Sequence, residues 1–205
     1  MHRPTFGVTL SVQYASLLHP TTPRRSSRHA ELSPRVRPRG CFFFTVNLLD
    51  RRQTLLTDNI EALREATRST RDRHPFHIDA FVVLPEHVHA VWTLPPDDAD
   101  FSLRWRMIKI RFSQSIPQGE RRSPARVARG ERGIWQRRFW EHMIRNEADY
   151  ARHVEYCYIN PVKHGYVRRV QDWPYSSFHR DVEAGIFPLD WAGEAEPTGQ
   201  FGERP

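Results

Sequence analysis

Two histidines, His87 and His89, are separated by a single residue in the apolar stretch LPEHVHAVW. If this stretch is a β-strand, residues two apart face the same side, and the two imidazoles project together. Imidazole nitrogens are common ligands of divalent metal ions, so the pair could supply two ligands of a metal site. The spacing alone is a weak indication, because paired histidines on a strand are more often ordinary half-exposed residues.

A tyrosine and an asparagine, Tyr156 and Asn160, have the spacing that places two side chains on one face of a helix. A tyrosine can act as a covalent nucleophile, and an asparagine oxygen can bind a hard divalent cation. Tyr150 and Tyr158 are each followed by a valine four residues later and lack such a partner. The alternative is an ordinary helix with aromatic core positions and an asparagine near its end.

The elements that would position these side chains can be predicted from the hydrophobic pattern. In chain order we predict a strand in CFFFTVNLL, a helix in DNIEALREATRSTRDRH, strands in HIDAFVVLP and HVHAVWTLP, a helix in FSLRWRMIKIRFSQSI, a strand in IWQRRFWEHMI and a helix in EADYARHVEYCYIN. The two strands around Pro85 should form an antiparallel hairpin. The order β-α-β-β-α-β predicts an α+β, ferredoxin-like fold, in which helices cover one face of an antiparallel sheet.

Two of the predicted helices bear directly on the chemistry. In the arginine-rich helix, Leu103, Met107 and Ile110 should face inward, with Phe112 as a further candidate, and the arginines should face outward. The last helix, which would carry the candidate nucleophile, is an addition to the ferredoxin-like core. It should follow Asn146 as its cap and end before Pro161, because a residue that precedes proline avoids the helical conformation.

The charge of the chain favours a polyanionic partner. The formal net charge is +7 and the isoelectric point is near 10.0. Residues 101–145 hold 12 arginine and lysine residues against 3 aspartate and glutamate residues. Arginine interleaved with aromatic residues suits a single nucleic-acid strand, although a solvated helix face with buried tryptophans is the alternative. The candidate binding residues are Arg104, Arg106, Lys109, Arg111, Arg137 and Arg138, together with Trp135 and Trp140.

Composition divides the chain into three regions. Residues 1–38 are rich in proline, serine, threonine and arginine without periodicity, which is typical of a disordered basic arm. Residues 39–180 carry the predicted elements and should form the folded domain. Residues 181–205 are acidic and rich in glycine and proline, and we expect a flexible tail. We hypothesise that this tail folds over the basic groove and competes with nucleic acid, against the alternative of a simple disordered end.

Cysteine usage and hydropathy bear on the compartment. Cys41 and Cys157 do not make a disulfide framework and are not spaced like zinc ligands, so we expect reduced core residues. No apolar run reaches transmembrane length, and the N-terminal region lacks the apolar segment of a signal peptide. We therefore expect a cytoplasmic protein with no membrane partner.

Several long motifs follow one another in order between about residues 40 and 180: CFFFTVNLLDRR, IDAFVVLPEHVHAVWTLP, DFSLRWRMIK, ERGIWQRRFWEHMIRNEADYARHVEYCYINPVKHG and WPYSSFHR. Together they resemble the REP-associated tyrosine transposases, a single-tyrosine branch of the HUH endonucleases. A series of this length is far more specific than the histidine pair alone.

The resemblance implies a role for each candidate residue. His87 and His89 would bind a divalent metal, Mg²⁺ or Mn²⁺, Asn160 would complete the metal site, and Tyr156 would be the nucleophile. The implied activity is that of a transposase, which cleaves single-stranded DNA near a palindromic hairpin and transfers the strand. Its intermediate is a 5′-phosphotyrosine with a free 3′-hydroxyl, and this link conserves bond free energy, so strands can be rejoined without ATP.

Some alternatives stay open at this level. Tyr158 lies two residues after Tyr156 and is the other candidate nucleophile. The protein could instead be a DNA-binding regulator that does not cut, although the joint presence of all four site residues opposes this. It could also be a phosphodiesterase that uses a metal-bound water, and it could act as a monomer or as a homodimer.

Overall fold

A computed structural model describes residues 40–120, 122–193 and 201–202. Its elements, in chain order, are β1 (Cys41–Asn47), α1 (Leu55–Asp58), α2 (Ile60–Arg73), β2 (His77–Val83), β3 (His87–Thr93), α3 (Phe101–Ser115), α4 (Pro124–Ala128), β4 (Trp140–Met143), α5 (Glu147–Lys163), a 3₁₀ turn (Val170–Asp172) and α6 (Phe178–Glu183). The basic arm predicted for residues 1–38 lies outside the described residues.

The strands form one antiparallel sheet in the order β2-β3-β1-β4. β1 and β3 pair along their whole length, with Thr45 opposite His89. The predicted hairpin is present, with Val83 of β2 opposite Val88 of β3. β4 is shorter than the stretch IWQRRFWEHMI suggests, because Trp135 in the first part of that stretch forms only an isolated bridge, to Leu48 just after β1. The predicted ferredoxin-like, α+β fold is confirmed.

One face of the sheet is covered by α2 and α3, as predicted. The rings of Trp92 on β3 and Trp105 on α3 stack with their centroids 4.3 Å apart. Phe112 is buried as predicted, but the predicted rotation of α3 is wrong at Ile110, which is 43% exposed, while Trp105 and Ile108 are buried. Burial of a tryptophan removes more apolar area from water than burial of an isoleucine, so the Trp105 ring determines which side of α3 faces the sheet.

The opposite face of the sheet is covered by α5, the helix added to the ferredoxin-like core. α5 packs mainly on β2 and β3, the two strands of the hairpin. The core between them contains Phe43, Ala80, Val82, Val91, Val154, Cys157 and Tyr158. Because side chains alternate along a strand, this face receives the residues of β3 that are not used by the α2–α3 face, including both histidines.

α5 runs through Pro161 and ends at Lys163, so the predicted end of this helix before the proline is wrong. A proline inside a helix removes one backbone N–H and crowds the preceding turn. The last turn is nevertheless closed, since the His164 N–H donates to the Asn160 carbonyl at 2.9 Å. The additional residues keep Lys163 in the same helical register as the residues before the proline.

The boundary predicted at residue 180 falls inside α6, so the folded domain extends further than the sequence suggests. Phe187 is buried in the core on the α5 side of the sheet. Because burial of its aromatic ring stabilises the fold, the folded domain extends beyond residue 180. Residues 194–200 and 203–205 lie outside the described residues, and a flexible tail stays a prediction for them. Phe201 and Gly202 are described, and they contact Tyr156 and Trp140 of the domain.

Cys41 and Cys157 are both buried in the core, as predicted. Within the described parts of the chain, every helix is too short or too polar to cross a membrane. The cytoplasmic location stays a prediction.

Candidate functional site

His87 and His89 lie at the start of β3, on the side of the sheet that α5 covers. Both side chains are 0% exposed, so the alternative that they are ordinary half-exposed strand residues is wrong. Val88 and Ala90 alternate with them and enter the core on the opposite face. The two Nε2 atoms lie 3.0 Å apart, so the rings converge on one point, as their spacing predicts.

The outer nitrogen of each ring is held by an acceptor. His87 Nδ1 lies 2.9 Å from a carboxylate oxygen of Glu86, so this nitrogen carries a proton. The Thr45 hydroxyl donates its one proton to the Phe201 carbonyl at 2.6 Å, and it therefore accepts from His89 Nδ1 at 3.0 Å. In neutral rings each Nε2 then has a lone pair, and two facing lone pairs repel unless a proton or a metal cation binds there. The donor set thus fits a cation.

Glu86 is the buried carboxylate behind His87. Burial raises the pKa of Glu86, but the hydrogen bond and charge of His87, helped by the charge of Arg51, outweigh burial and lower it overall. The other carboxylate oxygen accepts a hydrogen bond from the Tyr166 hydroxyl at 3.3 Å. A carboxylate in this position fixes the tautomer and the orientation of a metal-binding histidine.

We expect Glu86→Gln to weaken divalent-metal binding roughly 10- to 100-fold, the usual effect of losing the partner behind a metal-binding histidine. The amide has nearly the same shape but lacks the charge that holds the Nδ1 proton. Titration of Mn²⁺ followed by electron paramagnetic resonance measures the affinity. Glu61→Gln, at an exposed carboxylate paired with Arg64 on α2, is the matched control. An affinity as high as that of the unsubstituted chain would contradict the role of Glu86.

Tyr156 and Asn160 lie one helical turn apart on the side of α5 that meets the histidines. The ring of Tyr156 meets the ring of His89 edge-on, with centroids 5.2 Å apart. One turn after Asn160, the ring of His164 lies 5.3 Å from that of His87. Asn160 therefore lies on α5 between two residues that contact the histidine pair.

The side chain of Asn160 is only half satisfied. Its Nδ2 donates to the Tyr156 carbonyl at 2.9 Å, while its buried Oδ1 has no hydrogen-bond partner among the described residues. A buried polar atom without a partner costs about 1–3 kcal/mol. An amide oxygen is a good ligand for a hard divalent cation, so binding an ion would remove this cost.

Tyr158, the other candidate nucleophile, lies on a different side of α5. Its hydroxyl donates to the Asp181 carboxylate at 2.5 Å. Burial, together with the charge of Asp181, raises the pKa of Tyr158 well above its ordinary value. A phenol that resists ionisation and is already bonded to a carboxylate is a poor nucleophile. The geometry therefore favours Tyr156.

The end of the described chain covers the candidate nucleophile. The ring of Phe201 stacks face to face on that of Tyr156, with centroids 3.6 Å apart and an interplanar angle of 9°. Gly202 lies against the Trp140 ring so closely that any side chain at this position would overlap it. Tyr156 is only 1% exposed, and Phe201 is one of the side chains that cover it.

A second group of possible metal ligands comprises His142 on β4 with Asp149 and His153 on α5. The Asp149 carboxylate already accepts from His142 Nε2 at 2.8 Å, the Arg145 N–H at 3.0 Å and Arg152 at 2.6 Å. Burial raises the pKa of Asp149, but these hydrogen bonds lower it overall to about 2. His153 Nδ1 bonds to the Asp149 backbone carbonyl at 2.7 Å. The group therefore joins β4 to α5, and the histidine pair on β3 fits a metal better.

The predicted nucleic-acid surface is divided by the fold, because α3 lies across the sheet from Tyr156. The prediction for Arg104 is wrong, since this side chain is 3% exposed. Its Nη2 lies 2.6 Å from the Asp98 carboxylate and 2.7 Å from the Pro75 carbonyl. Its Nη1 donates to the second Asp98 oxygen at 3.1 Å and to the Asp100 carbonyl at 2.9 Å, and its Nε donates to the His74 carbonyl at 3.3 Å. The ion pair with Asp98 is therefore bidentate, and the guanidinium group has no donors left for a phosphate.

Lys109 and Arg111 on α3 are half-buried and engaged with the protein. Lys109 Nζ donates to the Gln136 carbonyl at 3.1 Å, and burial lowers the pKa of Lys109 to about 8. Arg111 donates to the Ser69 hydroxyl at 3.2 Å. These contacts weaken the proposal that either residue binds DNA, because each would first have to break them.

The remaining candidates lie nearer the surface. Arg106, Arg137 and Arg138 are exposed, although Arg137 pairs with a glutamate 2.8 Å away. Trp135 and Trp140 are half-buried, and the Trp135 indole donates to a serine hydroxyl at 3.2 Å. Arg106, Arg137 and Arg138 therefore stay the proposed phosphate contacts, while the tryptophans contribute mainly to packing.

Sequence reasoning misses the residues that hold this site together. Glu86 is adjacent to His87 in the sequence, so the spacing could have indicated it. Thr45 is 44 residues from His89, and Phe201 is 156 residues from Thr45, so only strand register and the fold of the tail bring them together. Lys163 follows a proline that was expected to end the helix.

Three comparisons with known proteins bear on this arrangement. No protein-family model matches the chain. A REP-associated tyrosine transposase of Escherichia coli is 54% identical over 155 residues, which cover 76% of this chain and 86% of the relative. A Haemophilus influenzae protein is 47% identical over 158 residues, covering 77% of this chain and 90% of the relative. A solved structure, a REP-associated tyrosine transposase bound to a REP hairpin, is similar with a TM-score of 0.70 and 51% identity, covering 82% of this chain and 93% of that one.

Proposed function

The chain belongs to the family of REP-associated tyrosine transposases, and from this premise we propose that it cleaves and rejoins single-stranded DNA beside a hairpin. In the proposed reaction Tyr156 attacks a phosphate, which gives a 5′-phosphotyrosine and a free 3′-hydroxyl. One observation carries the proposal: the Nε2 atoms of His87 and His89 converge to 3.0 Å, with the Tyr156 ring 5.2 Å from that of His89.

A divalent metal is the proposed cofactor, held by His87, His89 and Asn160. Two inward lone pairs and an unsatisfied buried amide oxygen support this assignment. Because an amide oxygen suits a hard cation, Mg²⁺ or Mn²⁺ is the proposed ion. Such an ion would polarise a phosphate oxygen and stabilise the charge that develops on it.

The chain's own residues prepare the attack. Tyr156 supplies the attacking oxygen, and the packing of its ring on His89 holds it beside the proposed ligands. Glu86 and Thr45 fix the two imidazoles, so the site is organised before a substrate arrives.

Hairpin DNA is the proposed partner, since a solved relative of this chain is described as bound to a REP hairpin. Arg106, Arg137 and Arg138 are the proposed contacts to its phosphates, because their guanidinium groups face solvent. His87, His89, Asn160 and Tyr156 all come from one chain, so a monomer suffices to assemble the site. A homodimer is the alternative.

Autoinhibition by the tail stays a proposal, and the contact that supports it is aromatic rather than acidic. We expect Phe201→Ala to increase the rate of adduct formation several-fold, because it removes the ring that covers Tyr156. Single-turnover assays with a hairpin oligonucleotide measure the rate. Leu189→Ala, at a side chain 55% exposed in the same region, is the control. An unchanged or lower rate in Phe201→Ala would count against a covering role.

A denaturing gel tests the proposed function. The full chain is incubated with Mn²⁺ and a labelled hairpin oligonucleotide that carries a single-stranded extension, and the products are separated. We expect a DNA–protein adduct and a shortened oligonucleotide, both abolished by EDTA. Cleavage without an adduct would favour the phosphodiesterase that uses water. Binding without cleavage would favour the regulator that does not cut.

A further inference from the structure

Lys163 contacts the oxygen of the candidate nucleophile. Its Nζ donates a hydrogen bond to Tyr156 Oη at 2.9 Å, while it lies 4.8 Å from the centre of the tyrosine ring. The ammonium group is therefore at the oxygen end of the phenol rather than over its face. An ammonium is a cation with three donors and no acceptor, so it stabilises negative charge on that oxygen.

The path of α5 explains why this contact exists. Seven residues are nearly two turns of an α-helix, so Lys163 lies on the same side of α5 as Tyr156 only if the helix remains regular between them. α5 does so, because it continues through Pro161 instead of ending there. Lys163 is exposed as a residue, so a positive charge at this position does not carry the full cost of burial.

We propose that Lys163 is a further catalytic residue, which binds the Tyr156 oxygen and stabilises its negative charge both in cleavage and in rejoining. The inference rests on the proposed function, since it concerns the same nucleophile. It goes beyond that function by assigning a role to the Lys163 hydrogen bond to the oxygen that attacks in cleavage and leaves in rejoining. A hydrogen bond to a charged group is stronger than one to a neutral group, so the contact favours the ionised oxygen.

The covalent step is balanced. Tyr156 Oη forms a bond to phosphorus while the bond between phosphorus and the 3′ oxygen breaks. The phenol proton passes to water, and the departing 3′ oxygen takes a proton from water. In rejoining, the 3′-hydroxyl attacks phosphorus and Tyr156 Oη leaves, and Lys163 stabilises it as the leaving group.

Three variants of the full chain test the inference. We expect Lys163→Met to slow single-turnover adduct formation roughly 10- to 100-fold, as for the loss of a hydrogen bond to a charged group. We expect Lys163→Arg to restore most of the rate, because a guanidinium also donates to the oxygen. Arg168→Met, which removes an exposed positive charge shortly after α5, is the matched control and should leave the rate unchanged.

The affinity for the hairpin separates catalysis from simple attraction of DNA. Fluorescence anisotropy should give the same Kd for the unsubstituted chain and for Lys163→Met. A rate loss that is matched by an equal loss of affinity would overturn the inference, and so would an unchanged rate in Lys163→Met. If the unsubstituted chain forms no adduct, the proposed function fails and this inference fails with it. If it forms an adduct that Lys163→Met forms equally fast, only this inference fails.

Discussion

Tyr156→Phe should form no covalent adduct with hairpin DNA, a loss on the order of a thousandfold or more, as for removal of a covalent nucleophile. The substitution removes one oxygen and leaves the ring, so the stacking on Phe201 and the contact with His89 are preserved. Folding and DNA affinity should therefore be unchanged. A denaturing gel with labelled oligonucleotide detects the adduct, and a thermal melt reports on the fold.

Tyr158→Phe is the matched control for this experiment. It removes the same atom from the same helix, but that hydroxyl bonds to Asp181 on the other side of α5. We expect the adduct to form in Tyr158→Phe, with some loss of stability of about 1 kcal/mol from the broken hydrogen bond. If the adduct survived in Tyr156→Phe and disappeared in Tyr158→Phe, the assignment of the nucleophile would be wrong.

His89→Ala should weaken Mn²⁺ binding by more than roughly 100-fold. The substitution removes a proposed direct ligand of the metal, and this loss should exceed the loss of a carboxylate that only orients a ligand, as in Glu86→Gln. His87→Ala should have the same effect. Isothermal titration calorimetry with Mn²⁺ on the DNA-free chain measures this without relying on activity. Both histidines are buried, so a thermal melt must show that each variant is folded before its affinity for Mn²⁺ is interpreted.

His142→Ala is the matched control for the metal experiment, since this histidine belongs to the second cluster. Its Nε2 bonds to Asp149, and we assign that contact to packing between β4 and α5. We expect Mn²⁺ affinity to be retained in His142→Ala. Retention in His89→Ala together with loss in His142→Ala would move the metal site to the second cluster.

Much of the fold follows from local sequence pattern, because strands and helices with regular burial leave a clear periodicity. The hairpin before His87 and the added helix after Asn146 are examples. The rotation of α3 does not follow from the sequence. Helical spacing is compatible with a buried face that contains Leu103, Met107 and Ile110, and equally with the buried face that contains Trp105. The choice between them depends on the Trp92 ring in another strand, which a local pattern does not contain.

The candidate site divides in the same way. The spacings of His87 with His89 and of Tyr156 with Asn160 are local, so sequence could group each pair, and the resemblance joined the two pairs. The contact of Phe201 with Tyr156 depends on how the tail returns to the domain, which composition does not determine. Arg104 shows the converse error: an arginine counted as surface charge is buried by its pairing with Asp98.

The central claim is that Tyr156 becomes the covalent link to DNA. The adduct formed with a hairpin oligonucleotide and Mn²⁺ can be digested with a nuclease and a protease, and the remaining nucleotide located by tandem mass spectrometry. We predict a phosphate-linked nucleotide on Tyr156 in the peptide that contains HVEYCYIN. A nucleotide on Tyr158, or on any other side chain, would contradict the claim.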